Sequence, residues 1–457
     1  MDKTIYKNKV IIIVVLGLLL LAGCEEPEWP TVPFDLTRPM VVATSPEDGS
    51  LMNPVSEPIT VTFTKEMDLS TISAYTTVTD GHDNVVPGSW TGSGATYTFS
   101  PSSVFSALSL YKVVMKGAFS PEGEWLGTGV SDENGNSLKN EISFSFSTEG
   151  NYGNSTLYLG TGGDNGGIFA YVQNLELSEF DNYPGEGVQT PAINPAGTKV
   201  YVASSDNASV IVIDVATNSV SAEIPMPDGV EGPRTLAVTP DGSEVWVACN
   251  WSMDLVVINT SNNQVDTTIS LADYAEDVHS MAINNAGTRG YITTNWDQGV
   301  IVVDIQNREV LEYIEGVATV ESAVAITVSP DDSKIIVFLA WAEDEIAVID
   351  AATNGITYMS LGSEGDGWKL DVEGDYIYAC GRWNGNIYKI NMTDMSVEAE
   401  TNVEWDMKGI AVDTDKEVVY AIAPAYNDEG AIFILTASDL SLLGTIPAGN
   451  YRGIVTP

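Results

Sequence analysis

The chain has 457 residues, with 63 Asp and Glu against 19 Lys and Arg, a net charge of -44 and two histidines. A chain this acidic offers no basic footprint for phosphates, which excludes nucleic acid as a partner. Its 44% hydrophobic and 9% aromatic content is enough to bury cores, so it is not a disordered acidic polymer. His82 and His279 are far apart in sequence, which excludes a metal centre of several imidazoles, and no Cys-x-x-Cys-His is present for covalent haem.

Lys3, Lys7 and Lys9 precede an unbroken apolar run from Val10 to Ala22. The run is too short to cross about 30 Å of hydrocarbon as a helix, so it reads as a secretory signal over residues 1–23. Leu21-Ala22-Gly23-Cys24 resembles the bacterial lipoprotein lipobox. The resemblance implies a diacylglycerol on the Cys24 thiol, cleavage before it, and a chain tethered to a membrane without spanning it. Residues 24–37, rich in Glu and Pro, read as a stiff acidic spacer. Acidic residues just after the cysteine are similar to those of surface-exported lipoproteins of the Bacteroidota, which implies an outer-membrane anchor and a surface-exposed location.

Residues 38–149 alternate apolar and polar residues in short runs, among them Ile59–Phe63, Thr96–Phe99, Tyr111–Met115 and Ile142–Ser147. Gly, Pro, Asn and Asp separate them, so the expectation is an antiparallel β-sandwich without a disulfide. Ser45-Pro46-Glu47-Asp48-Gly49, Val61-Thr62-Phe63-Thr64-Lys65-Glu66-Met67-Asp68, Phe99-Ser100-Pro101 and Asp132-Glu133-Asn134-Gly135-Asn136 together resemble the bacterial Ig-like domain of S-layer and other surface proteins. The resemblance implies a spacer or adhesive module. Asp132-x-Asn134-Gly135-Asn136 has oxygen spacing that would suit calcium. It also suits a tight turn closed by local side-chain hydrogen bonds, and no Glu closes a full calcium loop.

From 151 to 457 the chain repeats with a period of about 44 residues. One landmark ends a strand, as in Ile213-Asp214, Ile258-Asn259, Val303-Asp304, Ile349-Asp350 and Ile390-Asn391. The other is a turn such as Asn194-Pro195-Ala196-Gly197, Thr239-Pro240-Asp241-Gly242 or Ser329-Pro330-Asp331-Asp332. Seven units of four short strands predict a seven-bladed β-propeller, so the fold class is all-β, a sandwich followed by a propeller. Thr156–Gly160 matches the second strand of a blade and Arg452–Pro457 a first strand, so the C-terminal strand is expected to complete the first blade. The wording Pro-Asp-Gly, Val-Tyr-Val-Ala and Val-Ile-Asp-x-Ala-Thr-Asn resembles the YVTN-type propeller repeat, which implies a fold but no single activity.

In such a ring, the loops between second and third strands share one face with the inter-blade loops. The first set carries Trp251, Trp296, Trp341, Trp383 and Tyr426. The starts of the innermost strands carry Arg234, His279, Trp368, Lys408, Tyr451 and Arg452, with Gln189 and Val324 at the remaining positions. Two readings stand together. An aromatic and cationic bowl would take a sugar ring or another flat surface together with a carboxylate or phosphate. Alternatively, the aromatics pack between blades and the cations pair with acids such as Glu231, Asp277 and Asp406.

Cys249 and Cys380 occupy equivalent positions of the third and sixth blades, too far apart for a disulfide, and read as free buried residues. No catalytic motif is recognisable and no metal ligand set is assigned. Glu321, Asp366 and Asp371 are acids that a gluconolactonase-like channel could use. The reading that follows is a surface-anchored, non-catalytic binding or scaffold lipoprotein whose propeller faces a protein, glycan or envelope partner and needs no cofactor. The alternative is a metal-dependent lactonase or hydrolase acting in the channel.

Overall fold

The structure, a computed structural model, describes residues 37–120, 124–150, 156–160, 170–173, 176–179, 191–294, 297–318, 323–339, 345–361, 367–381, 385–403, 407–423, 430–448 and 453–456. The expected signal, Cys24 and most of the acidic spacer lie outside these residues. Among the described residues no helix is long and apolar enough to cross a membrane.

Residues 41–148 form two four-stranded sheets. One runs in the order Val41–Ser45, Ile59–Phe63, Thr96–Pro101, Gly88–Ser93, and the other Ser50–Asn53, Ile142–Thr148, Leu110–Met115, Thr76–Asp80. The alternation read from sequence becomes burial: Ile59, Val61 and Phe63 face a shared core with Tyr97, Phe99, Val113, Phe144 and Phe146. Two details depart from an antiparallel sandwich. Ser50–Asn53 pairs in parallel with Ile142–Thr148 through an irregular register. A short helix, Leu69–Tyr75, is capped by Asp68, whose carboxylate accepts the Ser70 amide at 2.8 Å and leaves Ile72 in the core.

Seven four-stranded sheets follow. Blades 2 to 7 have their innermost strands at Ala192–Ile193, Pro233–Val238, Met281–Ile283, Ala323–Val328, Gly367–Glu373 and Gly409–Asp413. Blade 1 takes its innermost strand from the other end of the chain: Gly453–Val455 pairs antiparallel with Thr156–Gly160, Ile454 opposite Leu159. Innermost strands of successive blades touch from blade 2 to blade 7, and Gly453–Val455 touches Gly409–Asp413 of blade 7. A central channel follows from this geometry.

Each blade buries both faces, which is why its middle strands read as continuous apolar runs. In Glu244–Cys249, Val245 and Val247 pack toward blade 2 while Trp246 and Ala248 pack toward blade 4. The same alternation gives a core at each of the seven blade junctions.

The repeat landmarks also have local causes. Asp214, Asp304 and Asp350 accept the backbone N–H three residues on, at 3.0, 2.7 and 2.8 Å, and so close the turn to the outermost strand. A residue of left-handed backbone completes that turn in six blades: Asn218, Asn263, Arg308, Asn354, Met395 and Leu440. Asn tolerates this conformation, which is what the repeated Thr-Asn wording encodes.

The sandwich rests on blade 7. Leu51, Met52 and Leu108 join the apolar cluster between blades 7 and 1. A Cβ on Gly444 would come within 2.3 Å of the end of the Leu51 side chain, which would then have to shift. Beside it the His82 ring lies 3.1 Å from the Asp439 carboxylate and 3.3 Å from the Ser441 hydroxyl.

Candidate functional site

The loop face is best defined at blade 3. There the turn after Glu244–Cys249 is fixed from both sides. The Asn250 amide donates to the Gly232 carbonyl at 2.7 Å, and the Ser252 amide donates to that of Glu231 at 3.3 Å. The Asn250 side-chain oxygen accepts the backbone N–H of Val278, which leads into blade 4, at 2.8 Å.

Gly232 has φ +70°, and a Cβ there would lie 2.6 Å from Cγ of Trp251. The indole therefore lies against a bare backbone, and Trp251 remains 61% exposed. At this Asn-Trp pair the packing and ligand readings divide between the two residues: Asn250 ties the blades and Trp251 presents a ring. Trp296, Trp341, Trp383 and Tyr426 lie outside the described residues.

The cationic set separates as well. His279 is 9% exposed, and its Nδ1 is 2.7 Å from the Val324 carbonyl of blade 5, so its ring is part of a blade junction. Lys408 is 4% exposed at the start of the blade 7 inner strand, where its amide donates to the Ile422 carbonyl at 2.8 Å. Tyr451, Arg452 and Gln189 lie outside the described residues, as does the side chain of Trp368.

Three inner strands share a break in register, between Pro233 and Thr235, Ala323 and Ala325, and Gly367 and Lys369. Each bulge leaves one residue unpaired, namely Arg234, Val324 and Trp368.

Arg234 is enclosed by protein yet keeps some exposed surface, as befits a channel wall. Burial holds its guanidinium below the ordinary arginine range, partly offset by the negative charge of Asp277. Lys369, one position past the bulge of blade 6, is a channel residue that the repeat alignment does not single out. Burial first, and then the Arg234 charge, lower its ammonium to about 8. Blades 3 and 6 lie on opposite sides of the ring, and Lys369 feels the Arg234 charge across the channel.

Asp371 lies two residues further along the same strand. Its carboxylate accepts the Val372 amide at 2.8 Å and the Val412 amide of blade 7 at 2.9 Å, and burial raises its pKa to about 6. Of the acids considered for a catalytic metal, Asp371 is thus bonded into the wall, while Glu321 and Asp366 lie outside the described residues. Among the described residues no three His, Cys, Asp or Glu side chains converge as a metal site.

The Asp132 turn of the sandwich is filled internally. Its carboxylate accepts from the Asn134 and Asn136 amides and the Asn136 side chain, and Lys65 Nζ sits 3.2 Å from Oδ2. The Asp132 carboxylate is thus already met by the Lys65 ammonium. Cys249 and Cys380 are buried thiols in different blade junctions, and burial pushes the Cys249 thiol up to about 12.

These features define an all-β protein of two parts, a bacterial Ig-like sandwich and a β-propeller with an aromatic-bearing loop face. Residues 35–148 match the family model of the bacterial Ig-like domain. No curated protein matches the chain in sequence. Among solved structures, a functionally unknown protein from Desulfotomaculum acetoxidans DSM 771 superposes with TM-score 0.54 at 14% identity, over 66% of this chain and 98% of that one. Hydrazine synthase of Kuenenia stuttgartiensis gives 0.47 at 17% identity, over 60% and 89%. The WD40 repeats of RRP9 give 0.49 at 13% identity, over 58% and 82%.

Proposed function

We propose that the protein is a surface-anchored, non-catalytic binding lipoprotein. In this reading Cys24 carries the lipid, the Ig-like sandwich is the spacer, and the loop face of the propeller engages a glycan or protein of the cell exterior. Trp251 is the observation that carries the reading. A ring 61% exposed, seated on a glycine of left-handed backbone and next to an asparagine that ties two blades, is a preorganised platform rather than a core residue. The channel residues favour binding over hydrolysis, because Asp371, the described candidate acid, spends both carboxylate oxygens on backbone amides.

Screening the full chain against arrays of extracellular glycans and surface proteins, in parallel with Trp251→Ala, tests the binding role. The expected result is a set of ligands whose affinity falls at least tenfold in the variant. Equal binding by both proteins refutes the role given to this face. Cys24→Ala, followed by membrane fractionation, tests the anchor: the variant is expected to leave the membrane fraction.

A further inference from the structure

Most propeller cations whose surroundings are described hold an acid or a carbonyl. Arg308 bridges Glu244 at 2.5 Å and Asp266 at 3.3 Å, and Lys416 lies 3.5 Å from Asp413. Lys334 donates to the carbonyls of Met392 and Thr393 at 2.8 and 2.9 Å. Lys389 donates to the Ser438 carbonyl at 3.2 Å and lies over the Tyr376 ring.

Arg234 and Lys369 are different. Among the described residues neither side chain has a hydrogen bond or an ion pair, in a chain with 63 acids to choose from. They stand on opposite blades, on inner strands with the same bulge, and each feels burial. Two desolvated, unpaired like charges facing one another oppose folding, since burial of a charge is tolerated when a counter-charge or hydrogen bonds meet it. Neither is sealed off, because both keep some exposed surface. Among the described residues, Asp371 on the strand of Lys369 is bonded to two backbone amides, and Asp277 acts on Arg234 only through its charge, without an ion pair.

We propose that Arg234 and Lys369 form an oxyanion-binding site inside the propeller channel, which takes a carboxylate or phosphate-like group between them. A guanidinium fork on one side and an ammonium on the other suit such a group. An enclosed site strengthens both contacts relative to water. The overall charge of -44 does not forbid the anion, because salt screens distant charges over about 10 Å while the two cations act at contact.

The anion has two sources with the same chemistry, a free inorganic ion or the carboxylate of a uronic acid in a larger sugar. Trp251 packs on Gly232, two residues before Arg234, so an acidic sugar could lay its ring on the indole and send its carboxylate into the channel. This second source rests on the binding role proposed for the loop face, and the channel site itself does not.

The test titrates the full chain with sulfate and, separately, with trigalacturonate, by calorimetry, in wild type and in the variants Arg234→Gln, Lys369→Met and Trp251→Ala. Saturable sulfate binding that weakens at least tenfold in each channel variant, and is unchanged in Trp251→Ala, is expected. Tighter binding of trigalacturonate that also weakens in Trp251→Ala identifies an acidic sugar. Binding of sulfate alone identifies a free ion.

Absence of binding by both probes, or binding that survives both channel substitutions, overturns the site. Melting temperatures of the same proteins keep the test independent of folding defects. Sulfate, compared with chloride at equal ionic strength, should raise the wild-type Tm. In the absence of an anion each channel variant should melt at or above wild type, and a Tm lowered in both variants would mean that the pair is structural.

Discussion

Asn250 and Val278 belong to different blades, and the Asn250 side-chain oxygen accepts the Val278 backbone N–H at 2.8 Å. Val278 is fully buried and Asn250 half-buried, so the Val278 N–H has little access to water. Asn250→Ala leaves a buried donor unpaired, which costs about 1–3 kcal/mol. Asn250→Asp keeps an acceptor and should cost less. Urea midpoints of the two variants check the order. Because the same turn seats Trp251 on Gly232, Asn250→Ala should also weaken any ligand that depends on the indole.

How much of this was legible beforehand differs between fold and site. The period of about 44 residues is physical. Each blade must bury both faces against its neighbours, so strands such as Val245-Trp246-Val247-Ala248 are apolar throughout, and Asp or Asn at a fixed place closes the outer turn in blades 2 to 6. The same logic marks Gly453–Val455 as a strand that lacks the rest of its blade.

The site was only partly legible, because a channel column carries no shared chemistry. Aligning the repeats picks out Arg234, Val324 and Trp368, the bulged residues. Lys369 sits one position on, level with Thr235 and Ala325, and nothing in those residues signals a cation across the channel. His279 was legible as a position but not as a role. Its bond to the Val324 carbonyl depends on how blade 4 meets blade 5, which composition and spacing do not report.

Asp371 makes stability depend on pH. Its carboxyl has a pKa of about 6 in the folded protein against an ordinary value of 3.8. The folded state therefore holds this proton more tightly than the unfolded state. Its contribution to stability is greatest at low pH, declines as pH rises from about 4 to about 6, and is then lost, by at most about 3 kcal/mol. Asp371→Asn removes the titration and keeps a side-chain oxygen for the Val412 amide. The stability difference between Asp371→Asn and wild type should therefore shift in favour of the variant as pH rises through 4 to 6 and stay level above 7. Denaturant midpoints across that range check this, and a difference that is flat with pH would assign the burial cost elsewhere.

At the domain junction an apolar contact and an ion pair lie side by side, and their magnitudes predict which one couples the domains. His82 and Asp439 are both substantially exposed, and such pairs contribute about 0–1 kcal/mol. Leu51 is packed with Met52 and Leu108 against the cluster of blades 7 and 1, and a charge placed there would be desolvated. In calorimetry, Leu51→Asp should split or broaden the unfolding transition as the sandwich and the propeller melt separately. His82→Ala should leave the trace close to wild type.

Closure of the ring is the most consequential device in the fold. Gly453–Val455 supplies the inner edge of blade 1, Ile454 is 4% exposed in the junction with blade 7, and the Thr456 hydroxyl donates to the Val412 carbonyl at 2.9 Å. Deleting residues 451–457 exposes the edge of Thr156–Gly160 and uncovers the apolar junction of the first and last blades. Open strand edges recruit other strands. The truncated chain should lose cooperative unfolding and associate with itself at micromolar concentration, as read by calorimetry and by light scattering after size exclusion. Ile454→Asp tests the same closure without shortening the chain: it places a charge in the junction and should destabilise the propeller by several kcal/mol, about the range for an unpaired buried charge. A synthetic peptide of residues 449–457 added to the truncated chain should restore the monomer, because the missing strand acts through hydrogen bonds and packing that a separate chain can supply.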